Sequence, residues 1–357
     1  MISRRLALLS WALSVVYLAP MAQAADAPPT RPDFVIDADT RTVVIEGVAT
    51  KIESRYVFPD IGKKIATSLR SKNAKARYGS ITSAAALCES LTAELRAISK
   101  DRHLRVDYAV QAKPMPKDDA PTPAQIAERK ADFEWENHGF RKVERLPGNI
   151  GYLRLDRFAP PEYAGEKAFA AMAFLADTDA LIIDLRQNGG GTPLMVALLA
   201  SYLFDAEPVH LNSIYSRVDD ETKQLWTSAY LPGPRYVGKD VYVLTSGRTF
   251  SGAEEFAYDL KYLKRATIVG ERTRGGAHPG GVEMITPHFG VFLPTGRAIN
   301  PVTHTNWEGV GVEPDVAAPA DSALAVAHRA ALTKLIEKTK GSDRSEWYRQ
   351  ALELVGN

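Results

Sequence analysis

The sequence predicts an α/β protein in which a parallel sheet lies between helices, preceded by a helical region. Three observations predict it. From Ile150 onward, apolar runs of strand length alternate with helical stretches, the pattern of a layered α/β architecture. Upstream, from Asp33 to Ser99, apolar residues recur at helical spacing. Between the two regions, residues 111–123 carry four prolines among lysines and aspartates, which reads as a loop or linker.

Composition limits what such a chain does. Of 357 residues 45% are apolar and 24% charged, ordinary for a globular protein and unlike a collagen, a coiled coil or a largely disordered chain. A formal net charge of +1 gives no basis for a nucleic-acid or anionic-membrane partner. The single cysteine, Cys88, excludes an internal disulfide framework, a cysteine-based zinc site and a Cys-x-x-Cys redox pair.

In chain order, Arg4 and Arg5, the apolar stretch Leu6 to Leu18 and the small residues of Ala22-Gln23-Ala24 have the layout of a signal peptide. Residues 1–24 are therefore expected to be removed, leaving a secreted or periplasmic protein, and the run is too short for a membrane span. Residues 25–110 read as an N-terminal helical domain, with Val43, Val44, Ile45, Val48, Ile52 and Tyr56, and then Ile61, Ile65, Ala66 and Leu69, recurring at helical spacing. Ser83 is placed to cap the helix that follows, in which Cys88 is a small buried hydrophobe. His103 to Tyr108 alternates as a short strand would. Residues 111–147 are a linker with a short helix from Pro123. Residues 148–318 form the core: strand 150–155, helix 162–176, strand 180–185, helix 194–204, strand 241–245, helix 251–263 and strand 266–270. The run Ala180-Leu181-Ile182-Ile183 is apolar throughout, as a strand buried on both faces requires. Residues 319–357 close the chain as helices.

Ligand sites in α/β sheets lie at the carboxyl ends of the strands. After strand 180–185 comes Asn188-Gly189-Gly190-Gly191, opening onto a helix. Consecutive glycines let the backbone approach a ligand, and amides at a helix start favour negative charge, although a plain tight turn fits the same residues. After strand 241–245 comes Thr249-Phe250-Ser251-Gly252-Ala253-Glu254. A serine on a strand-to-helix turn follows the logic of a nucleophile elbow, and Ser251-x-x-Glu254 equally fits a capping box. A serine nucleophile needs a base. Seven histidines are available, and none pair at metal-ligand spacing, so no metal is expected. Local sequence does not choose among them.

These motifs taken in order resemble a known family. Asp184-Leu185-Arg186-x-Asn188-x-Gly190-Gly191, Thr249-Phe250-Ser251-x-Ala253-Glu254-Glu255, Val269-Gly270-Glu271-x-Thr273-x-Gly275-Gly276 and Gly309-Val310-Gly311-Val312-x-Pro314-Asp315 are similar to the C-terminal processing, or tail-specific, serine peptidases. Lys100-Asp101-x-His103-Leu104 and the segment Gly139 to Tyr152 resemble the branch that holds interphotoreceptor retinoid-binding protein and the tricorn core. The resemblance implies a ClpP/crotonase-like core of repeated strand-strand-helix units, with no cofactor. The segment between Tyr108 and Gly151 is too short for the PDZ domain that many members carry.

The resemblance also implies roles. Ser251 is the nucleophile, with the Gly252 and Gly190 amides as the oxyanion hole. The lysine of the usual Ser–Lys dyad falls at Gly276, so that dyad is absent. His103 matches the histidine base of tricorn-type members, Glu308 their glutamate, and Arg102 stands where they have a second serine. His278 is the reserve base. The implied substrate is a peptide or protein tail, and crotonase-like cores often assemble as homo-oligomers. Arg248 is a candidate for a substrate carboxylate, against the plainer reading of a surface arginine. The aromatic stretch 205–239 fits an active-site cover or a surface hairpin. The rival function on the same scaffold is a non-catalytic carrier of apolar ligands.

Overall fold

β-Branched and aliphatic residues at the centre of the second half build a six-stranded sheet. In a computed structural model, which describes residues 32–71, 76–115 and 122–355, its strands are β2 (Phe140–Leu146), β3 (Ile150–Leu155), β4 (Ala180–Asp184), β7 (Asp240–Thr245), β8 (Thr267–Gly270) and β12 (Val316–Ala317). Their order is β12-β8-β7-β4-β3-β2, parallel except where β2 runs antiparallel to β3 at one edge. All five residues of β4 are buried, as its apolar run requires. The expected signal peptide lies outside the described residues.

Helices cover both faces. On one face, α5 (Pro161–Leu175), α6 (Pro193–Ser201) and α7 (Gly252–Tyr262) pack through Met172, Met195, Leu199, Phe256 and Leu260 onto Leu153, Ile183 and Val243. On the other, α8 (Ala323–Lys338) and α9 (Asp343–Leu354) pack through Ala327, Leu332 and Tyr348 onto Tyr152, Ile182 and Leu244. Alternate residues of the same strands serve the two cores, the period of two expected of a pleated sheet.

Upstream stand α1 (Ala38–Arg55), α2 (Pro59–Arg70), α3 (Ala84–Ser99), the short strand β1 (Arg105–Tyr108) and α4 (Pro123–Trp135). Ser83 caps α3 by accepting the Ala86 amide at 3.0 Å, and Cys88 is buried. The helices do not close a core alone. Val48, Ile52, Leu87 and Leu95 share one apolar cluster with Phe289, Val291 and Leu293 of β10 (Phe289–Pro294). That strand pairs antiparallel with both β1 and β9 (Gly280–Thr286), so a hairpin from the second half completes the first. A third sheet joins β11 (Gly296–Ile299), β5 (His210–Ser216) and β6 (Glu221–Trp226) in that order. Part of the aromatic stretch is thus a hairpin, with β6 largely exposed.

Candidate active site

Ser251 sits where β7 hands over to α7, and its backbone is strained to place it. Its φ of 57° and ψ of −124° lie in a region that non-glycine residues avoid. The turn is held from both sides. Glu254, on the first turn of α7, accepts the Ser251 amide at 2.8 Å. The glycine loop after β4 presses against it: a Cβ on Gly190 would lie 2.8 Å from the Ser251 Cβ and 3.0 Å from the Gly252 nitrogen. Asn188, fully buried, anchors that loop by donating to the Leu155 carbonyl at 2.9 Å.

Glu254 does more than cap. The same carboxylate accepts from Thr273 Oγ1 at 2.5 Å and from the amides of Gly275 and Gly276 at 2.5 and 2.8 Å. It therefore ties the Ser251 turn to the loop after β8. Burial raises the Glu254 carboxyl to about 7 against the lowering pull of those four donors.

His103 reaches the site from the segment before β1. Its ring lies between Phe250, 4.4 Å away, and Phe292, 5.6 Å away. His103 and Ser251 line one cleft of about 510 Å³, together with Gly191, Gly252, Gly276, Ile214 and Trp307. Burial lowers the His103 pKa to about 4, against the raising effect of the Asp101 charge, so the imidazole is neutral at neutral pH. Among the described residues its buried Nδ1 has no hydrogen-bond partner. No hydrogen bond joins His103 to Ser251 among the described residues; such contacts in ligand-free sites often tighten only when substrate arrives.

Two of the residues with implied roles have hydrogen-bond partners outside the Ser251–His103 pair. The Gly190 amide donates to Asn188 Oδ1 at 2.8 Å, so it is engaged within its own loop; Gly191, not Gly190, lines the cleft beside Gly252. No hydrogen bond joins Glu308 to the His103 ring among the described residues. The Glu308 carboxylate accepts the Ala277 amide at 2.5 Å and the Arg102 amide at 3.4 Å, and lies 3.5 Å from His278 Nδ1. Burial and the Asp101 charge raise its pKa, with His278 opposing.

Asp101 is a residue that the motif contains and to which sequence reasoning gives no role. One oxygen accepts the His103 amide at 2.9 Å; the other accepts from Tyr56 Oη at 3.0 Å and pairs with His278 Nδ1 at 2.8 Å. Burial would raise its pKa, but the bond from His278 and the His103 amide hold it below the usual range. The signal for it is its spacing, two residues before a candidate base. The ligand atoms of Asp101, His278 and Glu308 lie within 4.8 Å of one another, close enough to share a cation. Each already has hydrogen-bond partners, and the trio serves as a clasp between the His103 segment and the loops at 277 and 308. Asp101→Asn turns a donor toward Tyr56 and His278 and is expected to cost about 1.5–3 kcal/mol of stability, read from urea denaturation.

The remaining candidates lie elsewhere. Arg248 donates to Gln187 Oε1 at 3.1 Å and lines a different, polar groove with Arg154 and Arg186. Asp184 and Arg186 bond to each other, and Asp184 also accepts from Tyr152, which fastens the end of β4.

The model of peptidase family S41 matches residues 149–318, and that of the N-terminal domain of S41 peptidases in eukaryotic interphotoreceptor retinoid-binding protein matches residues 39–134. The chloroplastic carboxyl-terminal-processing peptidase 1 of Arabidopsis thaliana is 29% identical over 181 residues, 50% of this chain and 35% of that protein. The chain thus spans about a third of that relative's length. Among solved structures, the photosystem II D1 C-terminal processing protease superposes with a TM-score of 0.50 at 15% identity, covering 87% of this chain and 99% of that one. The tricorn protease gives 0.51 at 13% identity, with 89% of this chain and 37% of that one covered. At those identities the superpositions speak for the fold alone. With both family models matched in order, and the ClpP/crotonase-like core and helical N-terminal region in place, the chain belongs to peptidase family S41.

Proposed function

We propose that this protein is a secreted or periplasmic serine peptidase that cuts peptides or protein tails, with Ser251 as nucleophile and His103 as general base. Ser251 Oγ attacks the scissile carbonyl carbon as its proton passes to His103; the amides of Gly252 and Gly191 receive the developing oxyanion. His103 then returns the proton to the departing amine, and water repeats the sequence on the acyl-enzyme. Asp101 holds the base through its backbone. Glu308 and His278 lock the loop that carries Gly276 and Ala277.

One observation carries this reading. A Cβ added at Gly276 would run into the Phe250 ring and would lie 2.8 Å from His103 Cε1. Position 276 is where the dyad lysine of related motifs falls, so the imidazole of His103 fills the place into which that side chain would project. A base has been exchanged between segments while the nucleophile turn is kept. The location rests on the leader-like residues 1–24.

The test is intact-mass analysis after treatment with a fluorophosphonate. A single adduct on the wild-type protein, absent from Ser251→Ala, is the expected result. A folded wild-type protein that takes no adduct and copurifies with fatty acid would overturn the peptidase in favour of a carrier.

A further inference from the structure

Glu255 lines the cleft beside the nucleophile, and the chemistry above has no use for it. It lies four residues beyond Ser251, on the same side of α7 one turn further in, and is 4% exposed. Its carboxyl accepts from Asn212 Nδ2 of β5 at 3.1 Å. The same cleft is lined by apolar Ile214 of β5, its register partner Ala298 of β11, and Trp307, with Arg105 among its polar members. A second acid, Asp259, stands one turn beyond Glu255. It is bonded to Asn300 at 3.0 Å, has one oxygen without a partner among the described residues, and does not line the cleft.

A carboxyl set beside apolar residues asks for a specific complement. Burial raises the pKa of both acids, and Glu255 raises that of Asp259 further. Neither ionises cheaply where it is buried, and a cation brought into the cleft is what stabilises the charged form. Lysine and arginine carry an aliphatic stem that suits Ile214, Ala298 and Trp307 below a charged head that suits Glu255. An aliphatic side chain would instead leave the Glu255 carboxyl desolvated with only Asn212 to serve it.

We propose that Glu255 closes the pocket for the substrate side chain preceding the scissile bond and selects lysine or arginine there. The proposal rests on Ser251 being the peptidase nucleophile, and its test separates the two. Peptidyl α-aminoalkyl diphenyl phosphonates carry a chosen side chain at that position. Ser251 Oγ forms the P–O bond, its proton goes to His103, and phenoxide leaves. Their labelling rates are compared with that of a plain fluorophosphonate, which presents no such side chain.

The lysine-like and arginine-like reagents are expected to label wild-type protein roughly 10–100-fold faster than the leucine-like one. Glu255→Gln keeps an acceptor for Asn212 and removes the charge, so this ratio should fall by about tenfold or more. Asp259→Asn, outside the cleft lining, should preserve it. If the fluorophosphonate labels Ser251 but the leucine-like reagent reacts as fast as the basic ones, the specificity proposal is overturned and the peptidase stands. The specificity proposal is equally overturned if Glu255→Gln leaves the ratio unchanged, which would make Glu255 only a hook for β5. If no reagent labels Ser251, the peptidase reading fails and takes the proposal with it.

Discussion

His103→Ala is expected to slow labelling of Ser251 by a fluorophosphonate by about 10²–10⁴-fold, the usual contribution of general-base assistance. Three features put this weight on His103 and not on His278. His103 shares the cleft with Ser251, whereas His278 does not line it. His278 Nδ1 is bonded to Asp101 and lies beside Glu308, which gives that ring a structural task. And His103 is held neutral by burial, ready to accept a proton. The last point sets the pH profile. A base works only when unprotonated, so the rate falls as pH drops through its pKa. With that pKa near 4, the acid limb in the wild type should lie roughly two to three units below the ordinary histidine limb near 6.5. His278→Gln keeps a donor toward Asp101; it should lower the rate far less and leave the acid limb in place. If His278→Gln abolishes labelling while His103→Ala retains it, the two roles are exchanged.

The layered core is legible because its signals are local. A strand buried on both faces must be apolar along its whole length, and Ala180-Leu181-Ile182-Ile183 is. Ser83 caps α3 through its own side chain, a bond that spans only three residues. β2 is not legible, because an edge strand with mostly exposed or half-buried positions carries charges where a central strand carries valines. Phe140-Arg141-Lys142-Val143-Glu144-Arg145-Leu146 has no apolar alternation. The N-terminal region reads as a domain of its own because its helices are amphipathic. That β10, nearly two hundred residues later, supplies the missing face is a matter of chain topology, which periodicity does not encode.

The site divides in the same way. Ser251 and the glycine loop announce themselves by strand-to-helix turns. His103 is visible only through the resemblance, since its partner Phe250 lies more than a hundred residues away. Which of the two glycines lines the cleft is beyond sequence altogether. Gly190 and Gly191 are chemically identical, and only the Asn188 side chain decides that the first is engaged.

Gly276→Ala is expected to cost roughly 1–3 kcal/mol of stability, the range for overpacking a filled site, and to lose most labelling at Ser251. The new methyl group would collide with the Phe250 ring and sit 2.8 Å from His103 Cε1. The loop cannot retreat: the Gly275 and Gly276 amides are bound to Glu254, and Trp307 Nε1 donates to the Gly276 carbonyl at 2.7 Å. The ring of His103 or of Phe250 must therefore move, and either motion displaces the base from Ser251. A double-mutant cycle makes this sharp. His103→Ala opens the space beside Phe250, so adding Gly276→Ala in that background should cost less than in the wild type. The coupling is expected on the order of 0.5–3 kcal/mol, as for other residues in direct contact, read from chemical denaturation of the four proteins. Additive costs would mean that the imidazole and position 276 do not compete for one space. The exchange of a lysine base for a histidine, and with it the mechanism proposed for this chain, would then lose its structural support.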